Sequence, residues 1–252
     1  MDIFSQIILF FVSLIANMFS AFSGGGAGLF QLPAILFLGL TFKSALATHK
    51  VASVALGVGA SLRHWRSSHL EYRFAVFILV TGLPGVVAGA FFILSIDNDR
   101  YAEIALGILT AGLGVYSMLK KKLGLDYQPR RRDLRGYLVG GGVLFLIGGL
   151  NGSLTSGTGL FVTLWLVGWF GLDYKRAVAY TLVLVGLFWN GLGALTLGLH
   201  TQIQWLWLPA LLLGSLIGGY LGAHMSIVSG NKAIKRVFEL LTFLIGAKLI
   251  IG

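Results

Sequence analysis

Two glycine-rich stretches interrupt apolar sequence and carry groups suited to holding an anion. They read "FSGGGAGLF" (22–30) and "TSGTGLF" (155–161). Glycine costs about 1 kcal/mol against alanine inside a helix, so each stretch predicts a break. Helices that begin near Leu29 and Leu160 would point their positive ends at the breaks. We interpret the breaks as two half-sites of one anion-binding centre, formed by Gly24, Gly25, Gly26, Ser156, Gly157 and Thr158. The alternative is close helix packing through small residues.

Three polar side chains inside apolar segments are further candidates for contact with the same anion. Lys50 lies six residues into a predicted span, where a lysine costs on the order of 3 kcal/mol. Its ammonium could neutralise a sulfonate or carboxylate, or it could snorkel to the outer interface. Asn190 and Gln31 are predicted to contact the solute, with hydrogen bonding between helices as the alternative.

A histidine beside Lys50 is the candidate for proton coupling. The unperturbed pKa of histidine is near 6.5, so His49 could carry a coupled proton, and Thr181 occupies the equivalent position in the second half of the chain. A hydrogen bond from His49 to a neighbouring helix is the alternative. Glu239 is the only acidic residue clearly within a span, and Lys235 one turn away predicts a structural ion pair. So few carboxylates argue against a cation pathway.

The composition identifies a membrane protein. Of 252 residues, 56% are hydrophobic and 11% are charged, whereas soluble domains carry roughly 25% charged residues. Apolar runs of about 20 residues fit a bilayer core. There is no cysteine, no HExxH, no GxSxG and no complete phosphate loop. We therefore expect no enzyme, no metal and no cofactor. The net charge of +10 is assigned to cytoplasmic loops rather than to nucleic-acid binding.

The apolar segments fall into two sets of five. Residues 1–119 form a first transmembrane repeat, 120–135 a basic cytoplasmic linker and 136–252 a second repeat. The predicted spans are 3–22, 27–42, 44–62, 74–95, 101–119, 136–150, 157–171, 177–198, 205–224 and 233–251. Of these, 27–42, 136–150 and 157–171 are short for a bilayer.

Matching motifs indicate that the two sets are duplicates. "GLTFKSALA" (39–47) and "GLDYKRAVA" (171–179) agree at five of nine positions, which indicates an internal repeat. If all ten segments cross, 15 of the 19 lysines and arginines lie inside and two outside. If 27–42 and 157–171 were re-entrant from the outside, the counts would be 10 and 7. The first count fits the positive-inside rule better, although re-entry of the two short segments stays an alternative. Five crossings per half give the second half the opposite orientation. The predicted fold is an all-α polytopic membrane protein with an inverted-topology repeat and interrupted, glycine-rich helix hairpins.

These pieces together resemble the sulfite exporter TauE/SafE permease family. The resemblance rests on "SGGGAGLFQLPAIL", "ALATHKVASV", "NGSLTSGTGLFVTL" and "GSLIGGYLGAHM" and covers almost the whole chain. It implies transport of a small sulfur-containing anion or organic acid, such as sulfite, a sulfonate or sulfoacetate, coupled to a proton or sodium ion. The family often has a lysine at the position of Leu182, the counterpart of Lys50, so a dianionic substrate is in doubt.

We therefore expect a secondary transporter that works by alternating access in a bacterial or archaeal plasma membrane. A passive anion channel and a structural protein are the alternatives. The GxxxG pairs Gly85/Gly89 and Gly218/Gly222 are interpreted as helix contacts, and such faces would also allow a homodimer.

Overall fold

The fold is a bundle of helices. A computed structural model describes residues 3–64, 70–96, 108, 111–112, 114–155 and 157–251, and no strand occurs among them. Six stretches are apolar and long enough to cross a membrane, so the predicted all-α polytopic class is confirmed. Most of the predicted segment 101–119 lies outside the described residues. The helices are α1 (Ile3–Ser23), α2 (Gly28–Phe37), α3 (Phe42–His64), α4 (Tyr72–Leu94), α5 (Leu134–Ser153), α6 (Thr158–Gly168), α7 (Tyr174–Tyr180), a π-helix (Thr181–Trp189), α8 (Asn190–Gly198), a 3₁₀ turn (Trp205–Trp207) and α9 (Leu208–Ile251).

Helices α2 and α6 are too short to cross the bilayer. They have ten and eleven residues, which at 1.5 Å per residue is about 15–17 Å against a core of about 30 Å. The prediction that 27–42 and 157–171 both cross fully is therefore wrong. The reason is local, because Gly39 (φ 94°) and Gly171 (φ 73°) take left-handed conformations soon after each helix ends. Segment 136–150 was also expected to be short, but it lies within the 20-residue α5.

Each short helix forms a hairpin with the long helix before it. Gln6 in the first turn of α1 donates to Leu206 O (2.7 Å), and Ile35 near the end of α2 shares a buried cluster with Leu9 and Trp207. The α1–α2 hairpin thus returns to the end of the bundle where it began. The α5–α6 hairpin does the same, since the indole of Trp169 donates to Gly136 O (3.1 Å). Each hairpin adds no net crossing, which leaves the predicted sides of all later loops unchanged.

The first helix of each half packs in parallel against a helix of the other half. Along α9, Gly214, Gly218 and Gly222 meet the backbone of successive turns of α1, and Gly85 and Gly89 of α4 meet α5 in the same way. A Cβ at these positions would overlap the neighbouring backbone, so the predicted helix-contact role of both GxxxG pairs is confirmed. The contacts are internal and lend no support to a homodimer. In each half, the first helix contacts a helix of the other half, as an inverted repeat would require. The repeat itself stays a prediction.

Helix α3 crosses its counterpart at the centre of the bundle. A Cβ on Gly57 would lie 2.5 Å from the carbonyl carbon of Gly186, so two glycines meet where α3 passes the π-helix. The two elements run antiparallel, because Lys50 lies beside Gly193 on the same side of this contact. π-Helical turns are rare and occur often at functional sites. Nine residues of π-helix here place Thr181 and Val185 toward the interior.

The basic loops gather at one end of the bundle, called here the basic face. Residues 120–133 are tied down there, because Gln128 N donates to Gly171 O (2.9 Å) and Asn231 Nδ2 donates to Leu125 O (2.8 Å). Tyr127 OH donates to Glu71 (3.2 Å), and burial together with that carboxylate raises the pKa of Tyr127. The ammonium of Lys43 instead donates to Leu94 O (3.0 Å) at the opposite end.

An ion pair within α9 is hydrogen-bonded to the helix at 114–119. Beyond the break at Gly230 (φ 80°, ψ 168°), Lys235 lies 2.8 Å from Glu239, as predicted from their spacing. Lys235 also donates to Ser117 O and to Ser117 Oγ. These bonds satisfy the charges within the protein, so the pair is structural.

Candidate functional site

The two glycine turns contact each other in the interior. Gly24, Gly25 and Gly26 have φ values of 89°, 150° and 107°, and a Cβ on Gly25 would lie 2.5 Å from the amide nitrogen of Leu160. Only glycine permits this approach. The second turn bends at Thr155 (φ 57°) and Gly157 (φ 73°). Helices α2 and α6 therefore begin on either side of one point.

Two of the backbone amides that were expected to bind the anion already donate hydrogen bonds within the protein. The amides of Gly24 and Gly25 both donate to Ser20 O (2.8 Å each) and so end α1. They are not the bare N–H groups that the sequence analysis assigned to the anion. The amides of Gly26 and Ala27 donate to no described residue. The first turn thus offers fewer donors than expected, and side chains supply the others.

A cavity of about 40 Å³ lies where the turns meet. A water molecule needs at least about 10–15 Å³ measured in this way, so the cavity has room for roughly three. Among the described residues, no aspartate, glutamate, lysine or arginine lines it. Its polar wall comes from both hairpins, α3, the π-helix and α8, and consists of Ser20, His49, Ser53, Asn151, Thr155, Thr158, Thr181 and Asn190.

Lys50 lies directly behind this wall. Its side chain is 0% exposed, and its ammonium donates to Asn151 O (2.7 Å), Asn151 Oδ1 (3.1 Å) and Thr155 Oγ1 (3.1 Å). The snorkelling alternative is therefore wrong. Asn151 stands in the last turn of α5, whose carboxyl end carries a partial negative charge. No carboxylate of the described residues pairs with this ammonium.

The space for Lys50 depends on a glycine of α8. A Cβ on Gly193 would lie 2.9–3.1 Å from Cδ, Cε and Nζ of Lys50. An added Cβ there would force the end of the Lys50 side chain to shift by a few tenths of an ångström. The charge is thus held at one place beside the cavity.

Two asparagines connect Lys50 to the cavity. Asn151 Nδ2 donates to Thr158 Oγ1 (3.0 Å) and, more weakly, to Asn190 Oδ1 (3.4 Å). Asn190 is 8% exposed and faces the interior as predicted. Its own amide N–H₂ donates to no described residue, which leaves a donor at the cavity wall.

His49 belongs to a chain of buried hydrogen bonds. Its Nδ1 is 2.7 Å from Gln31 Oε1, and its Nε2 is 3.2 Å from Ser53 Oγ. Gln31 Nε2 donates to Ser13 Oγ (2.8 Å), so Gln31 Oε1 accepts from His49 Nδ1, and the neutral imidazole is fully bonded. Gln31 does not line the cavity and supports His49 from behind.

Thr181 makes the equivalent contact in the second half. Thr163 Oγ1 lies 2.9 Å from Thr181 Oγ1 and 3.0 Å from Gly24 O, and Thr181 donates to Ala177 O (2.9 Å). Both threonines sit 132 residues beyond Gln31 and His49. At these two positions the first half of the chain thus has a glutamine and a histidine, whereas the second half has two threonines.

The structure brings most of the predicted site residues to this one place. The cavity is lined by Gly24, Gly25, Gly26, His49, Thr158, Thr181 and Asn190. Lys50 and Gln31 lie one residue behind this lining, and Gly157 lies in the second glycine turn. Ser156 lies outside the described residues. The site residues predicted from the sequence did not include Ser20, Ser53, Asn151 and Thr155. Thr155 belongs to the quoted "TSGTGLF", and Ser53 follows His49 by one helical turn, so both had a signal in the sequence.

Comparisons with known proteins agree with this arrangement of a membrane bundle. The family model for the sulfite exporter TauE/SafE matches residues 9–249. A probable membrane transporter protein of Haemophilus influenzae is 31% identical over 96% of this chain and 93% of its own length. The probable membrane transporter protein YfcA of Escherichia coli K12 is 27% identical over 96% and 88%, and YunE of Bacillus subtilis is 23% identical over 98% and 97%.

Proposed function

Because the chain belongs to the sulfite exporter TauE/SafE family, we propose that it is a secondary transporter for a small organic or sulfur-containing anion. Sulfite, a sulfonate such as sulfoacetate, and a short carboxylate are the candidate solutes. The solute binds in the central cavity and is moved by alternating access. The coarser conclusion, an integral multi-pass membrane protein related to probable membrane transporters, follows from the relatives and the six apolar helices.

One observation carries this proposal. Lys50 brings its ammonium group to within one residue of the cavity, and no described carboxylate pairs with it. A buried charge is costly unless it is paired, and an anion in the cavity would pair it. Thr155 would link Lys50 to the anion. Its hydroxyl oxygen accepts a hydrogen bond from the Lys50 ammonium, and its hydroxyl hydrogen can be donated to the anion. Asn190 offers a second donor.

The two hairpins suggest how access alternates. They approach the cavity from opposite ends of the bundle and meet through Gly25 and Leu160. If the halves are inverted repeats, exchanging their conformations opens the cavity first to one side and then to the other. At Gly57 and Gly186 the backbones of the two crossing helices approach closely, and this contact is the proposed pivot of the movement.

Charge and size support a small solute with one negative charge. The position equivalent to Lys50 is Leu182, which lines the cavity and carries no charge. A single ammonium matches a monoanion such as a short monocarboxylate better than a dianion such as sulfoacetate, and about 40 Å³ favours a compact group over a long chain. His49 is the proposed carrier of a coupled proton, with Thr181 as its uncharged counterpart. A sodium ion is the other proposed coupling ion.

The basic face is proposed to be cytoplasmic, in the plasma membrane of a bacterium or archaeon. Linker residues 120–135 would then separate the repeats 1–119 and 136–252 on the inner side. The described lysines and arginines of the linker, together with Arg63, Lys175 and Lys232, lie at that face, whereas Lys43 lies at the other. This distribution follows the positive-inside rule.

The test is a binding screen on the purified full-length protein. Sulfite, taurine, sulfoacetate, sulfolactate and short carboxylates are added singly, and the shift in melting temperature is measured. At least one monoanion should stabilise the protein, and taurine, a zwitterion, should do so less. If cations of similar size stabilise it and none of the anions does, the proposal fails.

A further inference from the structure

A second and larger cavity opens at the basic face, away from the central site. Its volume is about 620 Å³, within the range of about 300–1,000 Å³ that is common for small-molecule sites. It lies between the helix at 114–119, the linker and the end of α6. Neither glycine turn contributes to it, and it shares no lining residue with the central cavity.

The lining of this cavity is strongly positive. Among the described residues that line it, Lys120, Lys121, Lys122 and Arg130 are cationic and only Asp126 is acidic. No described carboxylate forms a salt bridge with the three lysines, whereas the basic residues Arg132, Arg176 and Lys235 each pair with an acid elsewhere.

Arg130 is fixed at the edge of the cavity. Its Nη2 donates to Gly168 O (2.8 Å) at the carboxyl end of α6, and its backbone amide donates to Phe170 O (3.1 Å). These two bonds hold Arg130 at the lining of the cavity, and its remaining guanidinium N–H groups donate to no described residue. A guanidinium of this kind is suited to the planar recognition of phosphate oxygens.

The other side of the cavity is apolar and continues onto the outer surface of the bundle. Tyr116 and Leu119 line it and are 44% and 76% exposed, and both precede Lys120 on one helix. Val167 and Leu172 form a buried floor. Exposed apolar residues followed at once by lysines mark the boundary between the acyl chains and the headgroups of a bilayer.

We propose that this cavity binds the headgroup of an anionic phospholipid. The lysines and Arg130 hold the phosphate, and the acyl chains lie along Tyr116 and Leu119. The apolar side is what favours a lipid over a free anion, because inorganic phosphate would leave that surface unused. Basic pockets between membrane helices are known to take such headgroups. The proposal does not depend on the transport function.

The experiment compares lipid retention by native mass spectrometry on the full-length protein in detergent. The protein is incubated with phosphatidylglycerol or with phosphatidylcholine. The test variant is Lys120→Gln/Lys121→Gln/Lys122→Gln. The matched control is Lys175→Gln/Lys232→Gln/Arg236→Gln, which removes three charges from the same face but none from the lining.

The wild type should retain phosphatidylglycerol. The test variant should retain at least about tenfold less of it, because the loss of three lysines weakens the electrostatic attraction to the anionic headgroup. The control should stay within about twofold of the wild type. Equal loss in both variants would reduce the effect to the general charge of the face and overturn the site. Equal retention of phosphatidylcholine would overturn the role of charge. If millimolar inorganic phosphate displaces the bound lipid, the site is one for a free anion and the proposal is wrong.

Discussion

Replacing Lys50 with methionine should weaken anion binding about 100-fold. Thr155 Oγ1 lies 3.1 Å from Lys50 Nζ, and a solute oxygen bonded to that hydroxyl would lie about 3 Å further on. The two charges are then about 6 Å apart. At an effective dielectric constant near 20, their attraction is about 3 kcal/mol, which corresponds to roughly two orders of magnitude in Kd.

The assay is isothermal titration of the best-binding anion from the screen into purified protein. Lys43→Met is the matched control, because Lys43 lies on the same helix but donates to Leu94 O at the far end of the bundle. Its affinity should stay within about twofold of the wild type. A Lys50→Met protein that elutes as a single folded species and still binds within about threefold of the wild type would refute the electrostatic role of Lys50.

Three further outcomes are expected. Gly25→Ala should abolish transport in reconstituted vesicles, because its Cβ would overlap the second turn, whereas Gly39→Ala, also at positive φ but with open space around it, should retain most of it. Gly89→Leu should lower the melting temperature by roughly 10 °C or prevent folding through overlap with α5, while Gly142→Leu, with nothing within 4 Å, should change it by about 2 °C or less. Asn190→Leu should raise the Kd of the anion about tenfold, as expected for one lost hydrogen bond to a charged group, and should also cost a little stability because the weak bond from Asn151 Nδ2 is lost; an unchanged Kd would remove Asn190 from the site.

The membrane class and the positions of the helix breaks could be predicted from sequence. Apolar runs of fixed length leave few folds other than helices in a bilayer, and clustered glycines locate the breaks. The meeting of the two breaks was also predicted, from the expectation that the two halves are inverted repeats.

The depth of the short helices could not be predicted. The same count of basic residues fits ten full crossings and fits two hairpins that return to their own side, so charge alone does not separate them. The contacts that do separate them are the packing of Ile35 against Leu9 and Trp207 and the hydrogen bond from Trp169 to Gly136 O. Likewise, the position of Lys50 within its predicted span indicated how deep in the membrane it lies but not which residues it contacts. Its partners, Asn151 and Thr155, are more than 100 residues away in the sequence.

Counterflow in proteoliposomes tests the central claim most directly. Vesicles containing the protein are preloaded with the unlabelled form of the best-binding anion, and uptake of the radiolabelled form is followed from outside. A carrier whose one cavity faces each side in turn predicts uptake several-fold faster than in empty vesicles, and no such acceleration in Gly25→Ala. Uptake that is independent of preloading would indicate a continuous pore and contradict alternating access.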